Sequence, residues 1–316
     1  MPARILICGS IAYDTIMVFQ DRFKNHILPD QLHILNVAFH VPDMRREYGG
    51  CAGNIAYSLK LLGGEPLIMA TVGEDSGLYM ERLDRLQIDC SHITEVPATY
   101  TAQAFITTDL DDNQITAFHP GAMNHSHLNH VADARNLAIG IVAPDGREGM
   151  MQHAREFRAA GVPFIFDPGQ GLPLFNGEEL LDFLRQASYC CVNDYESQLL
   201  TEKTGQPVEA LAKMVDAFIV TLGANGARIH IGGERIDIPN VRPDALVDPT
   251  GCGDAFRAGL LYGIANGMGW EKTGRLASLM GSIKIASRGG QNHKPTREEI
   301  AERYEAAFGE KLWSSA

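Results

Sequence analysis

Basic residues are in short supply: 27 Lys and Arg stand against 39 Asp and Glu, a formal net charge of -12 at pH 7. A field of that sign repels phosphate backbones and anionic lipid, which argues against nucleic-acid and membrane-surface partners while leaving room for a local cationic pocket. No run approaches the roughly 18 apolar residues of a membrane span. Gly9, Ser10 and Asp14 interrupt the N-terminal apolar stretch before it could act as a leader, so the expectation is a cytoplasmic protein. The six cysteines (Cys8, Cys51, Cys90, Cys190, Cys191 and Cys252) show no CxxC spacing, and several lie in apolar runs. They read as reduced core thiols, not as a disulfide frame. His119, His125, His127 and His130 crowd one stretch, but match no standard zinc spacing and have no cysteine nearby, which reads as a polar loop.

Two familiar phosphate-binding patterns are missing as well. GxxxxGK followed by Ser or Thr occurs nowhere, and no GxGxxG follows the first apolar run, which disfavours a P-loop enzyme and an ordinary dinucleotide dehydrogenase. No internal repeat, low-complexity tract or long linker divides the chain, so residues 1–316 read as one unit. Its 45% hydrophobic and 21% charged residues suit a sizeable core.

What is present alternates. Apolar runs rich in β-branched residues at 5–8, 67–72, 137–143, 163–166, 189–192 and 218–222 are separated by helical patterns, among them 52–62, 77–86, 148–159, 178–187 and 195–204. That order predicts an α/β fold with a mostly parallel sheet covered by helices on both faces, and from Gly253 onward the chain reads as almost entirely helical. Ligands of such sheets lie beyond the carboxyl ends of the strands. Two segments break the alternation. Residues 13–48 hold no clear helix and carry an extended pattern at 32–41, while 101–108 and 114–118 flank a turn of Asp109-Leu110-Asp111-Asp112-Asn113. Together, as about 13–48 and 98–120, they read as a small β-sheet lid that excludes water from the active-site end. Two surface hairpins are the plainer alternative. Lid strands could also pair edge to edge in a homodimer.

The strongest chemical signal is Asp248-Pro249-Thr250-Gly251-Cys252-Gly253-Asp254, which ends an extended run and opens a helix of small and apolar residues. Glycines there let the backbone approach a ligand, and the unpaired N–H groups of a helix start form an anion site. An acid at a helix start is also an ordinary cap, but capping does not explain the glycines around it. In phosphoryl transfer a protein mainly positions groups and neutralises charge, while a carboxylate accepts the acceptor's proton; Asp254 has the chemistry for that role.

Weaker signals support it. Gly49-Gly50-Cys51-Ala52-Gly53-Asn54 is a glycine-rich turn entering a helix, and Asn54 with Asp14 offers paired hydrogen bonds to a diol, although either could serve its own loop. Asn193-Asp194-Tyr195-Glu196 sits where a strand gives way to a helix; Glu196 could hold Mg²⁺ through water, and a capping box accounts for the same residues equally well. Thr221, Gly223 and Gly226 form a turn along which a nucleotide could pass.

With these segments in this order, the sequence resembles the ribokinase family, also called the phosphofructokinase-B family of carbohydrate and nucleoside kinases, over nearly the whole chain. The resemblance rests first on Asp248 to Asp254, then on Gly49-Gly50 with Asn54, Gly73-Glu74-Asp75-Ser76-Gly77, and Asn193 to Glu196. It implies ATP as co-substrate, Asp254 as base, Gly251, Cys252 and Gly253 as the anion hole, and Asn193 and Glu196 serving Mg²⁺ and phosphate. It also implies Asp14, Gly50 and Asn54 at the acceptor. Pro249 and Cys252 depart from the family's usual wording but remove neither the base nor a required donor. Some members need K⁺, for which Asp248 and 287–290 could supply carbonyls.

The wording of Phe118 to Met123, Asp167-Pro168-Gly169-Gln170 and Asn193 to Glu196 is similar to bacterial adenosine kinases. A purine needs an apolar or aromatic slot, which Phe105, Phe118 and Met123 could line, with amide contacts from Gln170 and Asn193. Each could equally be lid core. Only Arg45 and Arg46 precede the glycine pair, too few cations for a sugar phosphate. The expected activity is phosphorylation of a neutral acceptor, adenosine or a related ribonucleoside. Alternatives are a sugar kinase acting on ribose or a similar free sugar and, in another class, a non-catalytic nucleoside or sugar sensor.

Overall fold

The structure, a computed structural model, describes residues 4–27, 33–34, 36–111 and 113–313. In chain order the strands are β1 (Arg4–Cys8), β2 (Ala12–Val18), β3 (Asp43–Gly49), β4 (Glu65–Val72), β5 (Asp89–Glu95), β6 (Ala102–Thr108), β7 (Gln114–His119), β8 (Leu137–Val142), β9 (Phe164–Phe166), β10 (Tyr189–Asn193), β11 (Ala217–Thr221), β12 (Ala227–Ile231) and β13 (Glu234–Ile238). The helices are α1 (Cys51–Leu61), α2 (Gly77–Arg85), α3 (Arg147–Ala160), α4 (Gly177–Gln186), α5 (Asp194–Thr204), α6 (Val208–Ala212), α7 (Cys252–Ala265), α8 (Trp270–Ile285) and α9 (Arg297–Phe308).

Nine strands form one sheet in the order β13-β12-β11-β10-β9-β8-β1-β4-β5. Every pairing from β11 to β5 is parallel, and β12 and β13 add an antiparallel edge. The central strands are apolar throughout because both faces are covered. In β1, Ile5 and Ile7 join the core under α1, α7 and α8, while Leu6 and Cys8 join the core that holds Phe157 of α3 and Leu184 of α4. The expected mostly parallel sheet with helices on both faces is what the chain forms. Strands β5, β12 and β13 went unforeseen. Their surfaces are half polar, so they lack the continuous apolar run that marks a buried parallel strand.

The two segments that break the alternation supply a separate four-stranded sheet, ordered β3-β2-β6-β7. Its hairpin turns at 109–113, where Asp109 accepts bonds from the amides of Asp111 and Asn113; Asp112 lies outside the described residues. The described part of the extended pattern read at 32–41 forms no strand. Leu32 and Leu35 lie outside the described residues, 36–42 have no regular structure, and pairing begins at Asp43. Phe39 instead packs against Phe19 and Phe23, with ring centroids 4.8 and 5.0 Å away, so its apolar character fills a local aromatic cluster.

The motif Gly73 to Gly77 ties the two sheets together. Asp75 accepts from the Thr101 amide at 2.7 Å and from Gln103 Nε2 at 3.0 Å, and Glu74 Oε1 accepts from the Ala98 amide at 2.7 Å. The six cysteines are free, and Cys8, Cys190 and Cys191 are buried. Among the described residues, no helix is long and apolar enough to cross a membrane.

Candidate active site

At the start of α7 the sequence Gly251-Cys252-Gly253-Asp254 makes a tight turn into a helix. Gly251 is its N-cap, at φ 77°, a left-handed conformation that favours glycine. A side chain there would also come within 3.0 Å of Gly290 Cα. The Cys252 amide donates to Pro249 O at 3.1 Å, whereas the amides of Gly251, Gly253 and Asp254 find no backbone acceptor among the described residues. Of the residues expected to form an anion hole, Cys252 thus spends its amide on a turn bond, while the amides of Gly251 and Gly253, and that of Asp254, stay open among the described residues. Unpaired N–H groups at the positive end of a 14-residue helix suit a developing phosphate charge.

The Asp254 carboxylate sits beside those amides. Asn54 Nδ2 donates to its Oδ2 at 2.8 Å. Asn54 is itself held from behind, since Gln291 Nε2 donates to its Oδ1 at 3.2 Å and to Tyr79 Oη at 2.7 Å, and Tyr79 Oη donates to Gly49 O at 2.7 Å. Burial pushes the Asp254 carboxyl up to about 6, with Asp167 adding to the rise and the Asn54 bond, Arg257 and the Cys51 thiol opposing it. Such a carboxylate is ionised at neutral pH yet basic enough to take a proton from a hydroxyl that is losing it.

Asp14, on β2, faces the same region. Burial pushes its carboxyl up to about 6, reinforced by Asp248 and Glu47. A Cβ on Gly49 would stand 2.4 Å from Asp14 Oδ2, so the glycine makes room for this carboxylate. Gly50, at φ 83°, begins α1; a side chain there would strike Ser10 O at 2.5 Å. Ser10 caps that helix, its Oγ accepting from the Cys51 amide and its carbonyl from the Ala52 amide.

Behind Asp254, Arg257 lies one turn along α7, and its guanidinium grips Asp167 bidentately: Nε to Oδ2 at 2.9 Å and Nη2 to Oδ1 at 3.0 Å. Arg257 and Asp167 are almost fully buried. Arg257 also reaches Cys191 O and Gly253 O at 3.4 Å and lies 3.9 Å from Glu196 Oε2. Asn193 and Glu196 form the capping box of α5: Asn193 Oδ1 accepts from the Glu196 amide at 2.7 Å and Glu196 Oε2 from the Asn193 amide at 2.8 Å. The cap leaves Glu196 Oε1 without a protein partner among the described residues, and burial raises the Glu196 carboxyl, with Asp167 adding and Arg257 opposing. One free carboxylate oxygen near an anion hole fits Mg²⁺, which keeps several waters and takes its remaining ligands from phosphate.

Other expected residues divide. Thr221 ends β11 beside Asn193, and Gly223, at φ 55°, faces open space. Gly226 is instead a packing glycine, because a Cβ there would meet Ile238 O at 2.0 Å. Gln170 is exposed in the 3-10 turn Gly169–Leu174, and Met123 is half-buried in Gly121–Leu128. Phe105 and Phe118, two of the three residues expected to line an apolar slot, lie on opposite faces of the small sheet. Registers Asp14↔Ala104 and Ala104↔Phe118 put Phe118 on the Asp14 face of the small sheet, whereas Thr15↔Phe105 puts Phe105 on the opposite face. A slot on the Asp14 face of the small sheet can therefore use Phe118 but not Phe105.

Sequence reasoning missed Gln291, Tyr79, Arg257 and Asp145. Arg257 could have been found in part, since it stands three residues after Asp254 on one helix face. Asp145, just beyond the carboxyl end of β8, is almost fully buried, its carboxyl pushed up to about 8 by that burial, with Oδ2 unpartnered among the described residues.

Relatives share this architecture. The nucleoside kinase of Methanocaldococcus jannaschii is 33% identical over 275 residues, covering 85% of this chain and 89% of the relative. The solved structure of Burkholderia thailandensis nucleoside kinase in complex with inosine is 54% identical, with a TM-score of 0.89, over 97% of this chain and 99% of that one. Its ADP-inosine complex is 56% identical, with a TM-score of 0.86 over 97% of each chain. A family model described as pfkB family carbohydrate kinase matches residues 11–297, and the chain belongs to that family.

Proposed function

We propose that this chain is an ATP-dependent nucleoside kinase that phosphorylates the 5′-hydroxyl of a purine ribonucleoside, adenosine or a close relative. The observation that carries the reading is the Asp254 carboxylate, held by Asn54 beside the unpaired amides that open α7. The acceptor oxygen attacks the γ-phosphorus, its proton passes to Asp254, and the bond from the γ-phosphorus to the β,γ-bridging oxygen breaks, releasing ADP. Gly251, Gly253 and Asp254 amides face the charge of the transferring phosphoryl group, where fixed donors act most strongly. Glu196 would hold Mg²⁺ through water, and the ion would supply neutralisation of phosphate charge.

In this reading Asp14 and Asn54 bind the ribose hydroxyls, Phe118, Met123 and Gln170 serve the base, and Thr221 and Gly223 line the nucleotide. The small sheet acts as a lid over this acceptor. Met44, Phe105 and Ile115 are exposed and share the face away from Asp14, a surface suited to a second copy of the chain. Equilibrium sedimentation tests that homodimer, and a monomer at high concentration would remove it. A cytoplasmic location belongs to the same reading, since ATP is supplied there.

The inosine bound by the Burkholderia thailandensis enzyme supports a purine ribonucleoside over a free sugar. A ribose kinase remains the second reading, because Asp14 and Asn54 address only the sugar. ADP release from Mg-ATP, measured with adenosine, inosine, guanosine, cytidine, ribose and fructose, separates the two. Release with nucleosides alone supports the proposal; release with a free sugar alone overturns the acceptor assignment. Binding without turnover of any of them would indicate a sensor.

A further inference from the structure

Lys284, in the last turn of α8, is fully buried, and its side chain points into the protein. Nζ donates to Asp248 O at 2.8 Å and to Ser287 O at 2.9 Å. Burying a charged amine is costly, so a position that keeps one does so for the bonds it makes there. Both oxygens belong to the segments that frame the anion hole. Asp248 also joins them through its amide, which donates to Ile285 O at 3.1 Å, and its Oδ2, which accepts from the Gly289 amide at 2.8 Å, while its Oδ1 accepts from the Thr250 amide at 2.8 Å within its own loop. Three residues on, Gly251 packs against Gly290 and begins α7.

Asp248 and Ser287 are also among the carbonyls offered to K⁺ in the sequence. A potassium site is a shell of oxygens that replaces the ion's water. Here an ammonium already sits on two of those oxygens, so the residues present do not fit a K⁺ ion. We propose that Lys284 is this chain's built-in monovalent cation: it clamps the loop before α7 to the turn after α8, holds the anion-hole amides in place, and frees turnover from any need for K⁺. The inference rests on the kinase reading. Lys284 touches neither substrate nor reacting atoms, so it is a positioning residue.

The test compares wild type with Lys284→Met, which keeps the buried stem and vacates the Nζ position, in tetramethylammonium chloride and in KCl. Wild type is expected to show the same kcat and the same Tm in both salts. Lys284→Met is expected to lose on the order of 100-fold in kcat without K⁺. It should regain much of that in KCl, where its Tm should also rise. A merely structural lysine would lose stability without this selective K⁺ response. Wild-type turnover or Tm that depends on K⁺ overturns the proposal, as does a folded Lys284→Met with full activity or with no response to K⁺. If the variant fails to fold, the wild-type comparison decides. Should wild type lack turnover in both salts, the kinase reading fails, while the Tm comparison still tests the cation.

Discussion

Asn54 and Asp254 lie 200 positions apart and meet at 2.8 Å, the amide of one donating to the carboxylate of the other. The bond favours the charged form of Asp254 and so opposes the rise caused by burial. Asn54→Ala is expected to move the acid limb of the kcat profile to a pH above about 6, in addition to weakening acceptor binding. A pH profile of kcat that keeps its acid limb in place would separate Asn54 from the base.

Asp254→Asn keeps the shape and removes the proposed base. It should lower kcat by roughly 10²- to 10⁴-fold while ADP still binds, as read by turnover and calorimetry. The same change removes a charge that the fold buries at a cost. At pH 7 the variant should therefore be more stable, by roughly 1–3 kcal/mol. Near-normal turnover would remove Asp254 from its role.

Acidity should move activity and this part of stability in opposite directions. Asp14 and Asp254 both titrate near about 6 in the folded chain, above the 3.8 of a free aspartate. Between those values the folded state binds more protons than the unfolded one, so their contribution to stability is greatest below the unfolded value and is lost as pH rises through about 6. Activity needs both carboxylates charged and should fall as pH drops below about 6. The double variant Asp14→Asn with Asp254→Asn should show a flatter dependence of Tm on pH over that window.

Gly290 offers a test that leaves every charge in place. A Cβ there would stand 2.3 Å from Asn54 Oδ1, so Gly290→Ala must push the amide aside. The expected result is a loss of kcat/KM of roughly tenfold or more, since small displacements from reacting geometry are costly. Unchanged kcat/KM would show that Asn54 can move without consequence.

Removing Arg257 tests the buried ion pair. Arg257→Met leaves Asp167 without its bidentate partner and should cost about 3–5 kcal/mol, measured by denaturant unfolding. Adding Asp167→Asn should recover part of that loss, because the cost lies chiefly in the unpaired charge.

Much of this protein was legible locally. The apolar runs of β1, β4, β8, β10 and β11 are continuous because both faces of their sheet are buried, and the glycines before Asp254 mark a tight turn into a helix. The segments of the small sheet stood out because they lacked that alternation. These features depend on period, propensity and turn chemistry within about ten residues, which the sequence alone determines. Strand pairing across the chain decided the rest. It put Phe105 on the face away from Asp14, set Gln291 behind Asn54, and brought Asp167 to Arg257 across 90 positions. It also carried the Lys284 ammonium to carbonyls on two separate loops. Register and side-chain partners of this kind come from long-range contacts that bury a shared core, and no local pattern encodes which distant group will fill a given hydrogen bond.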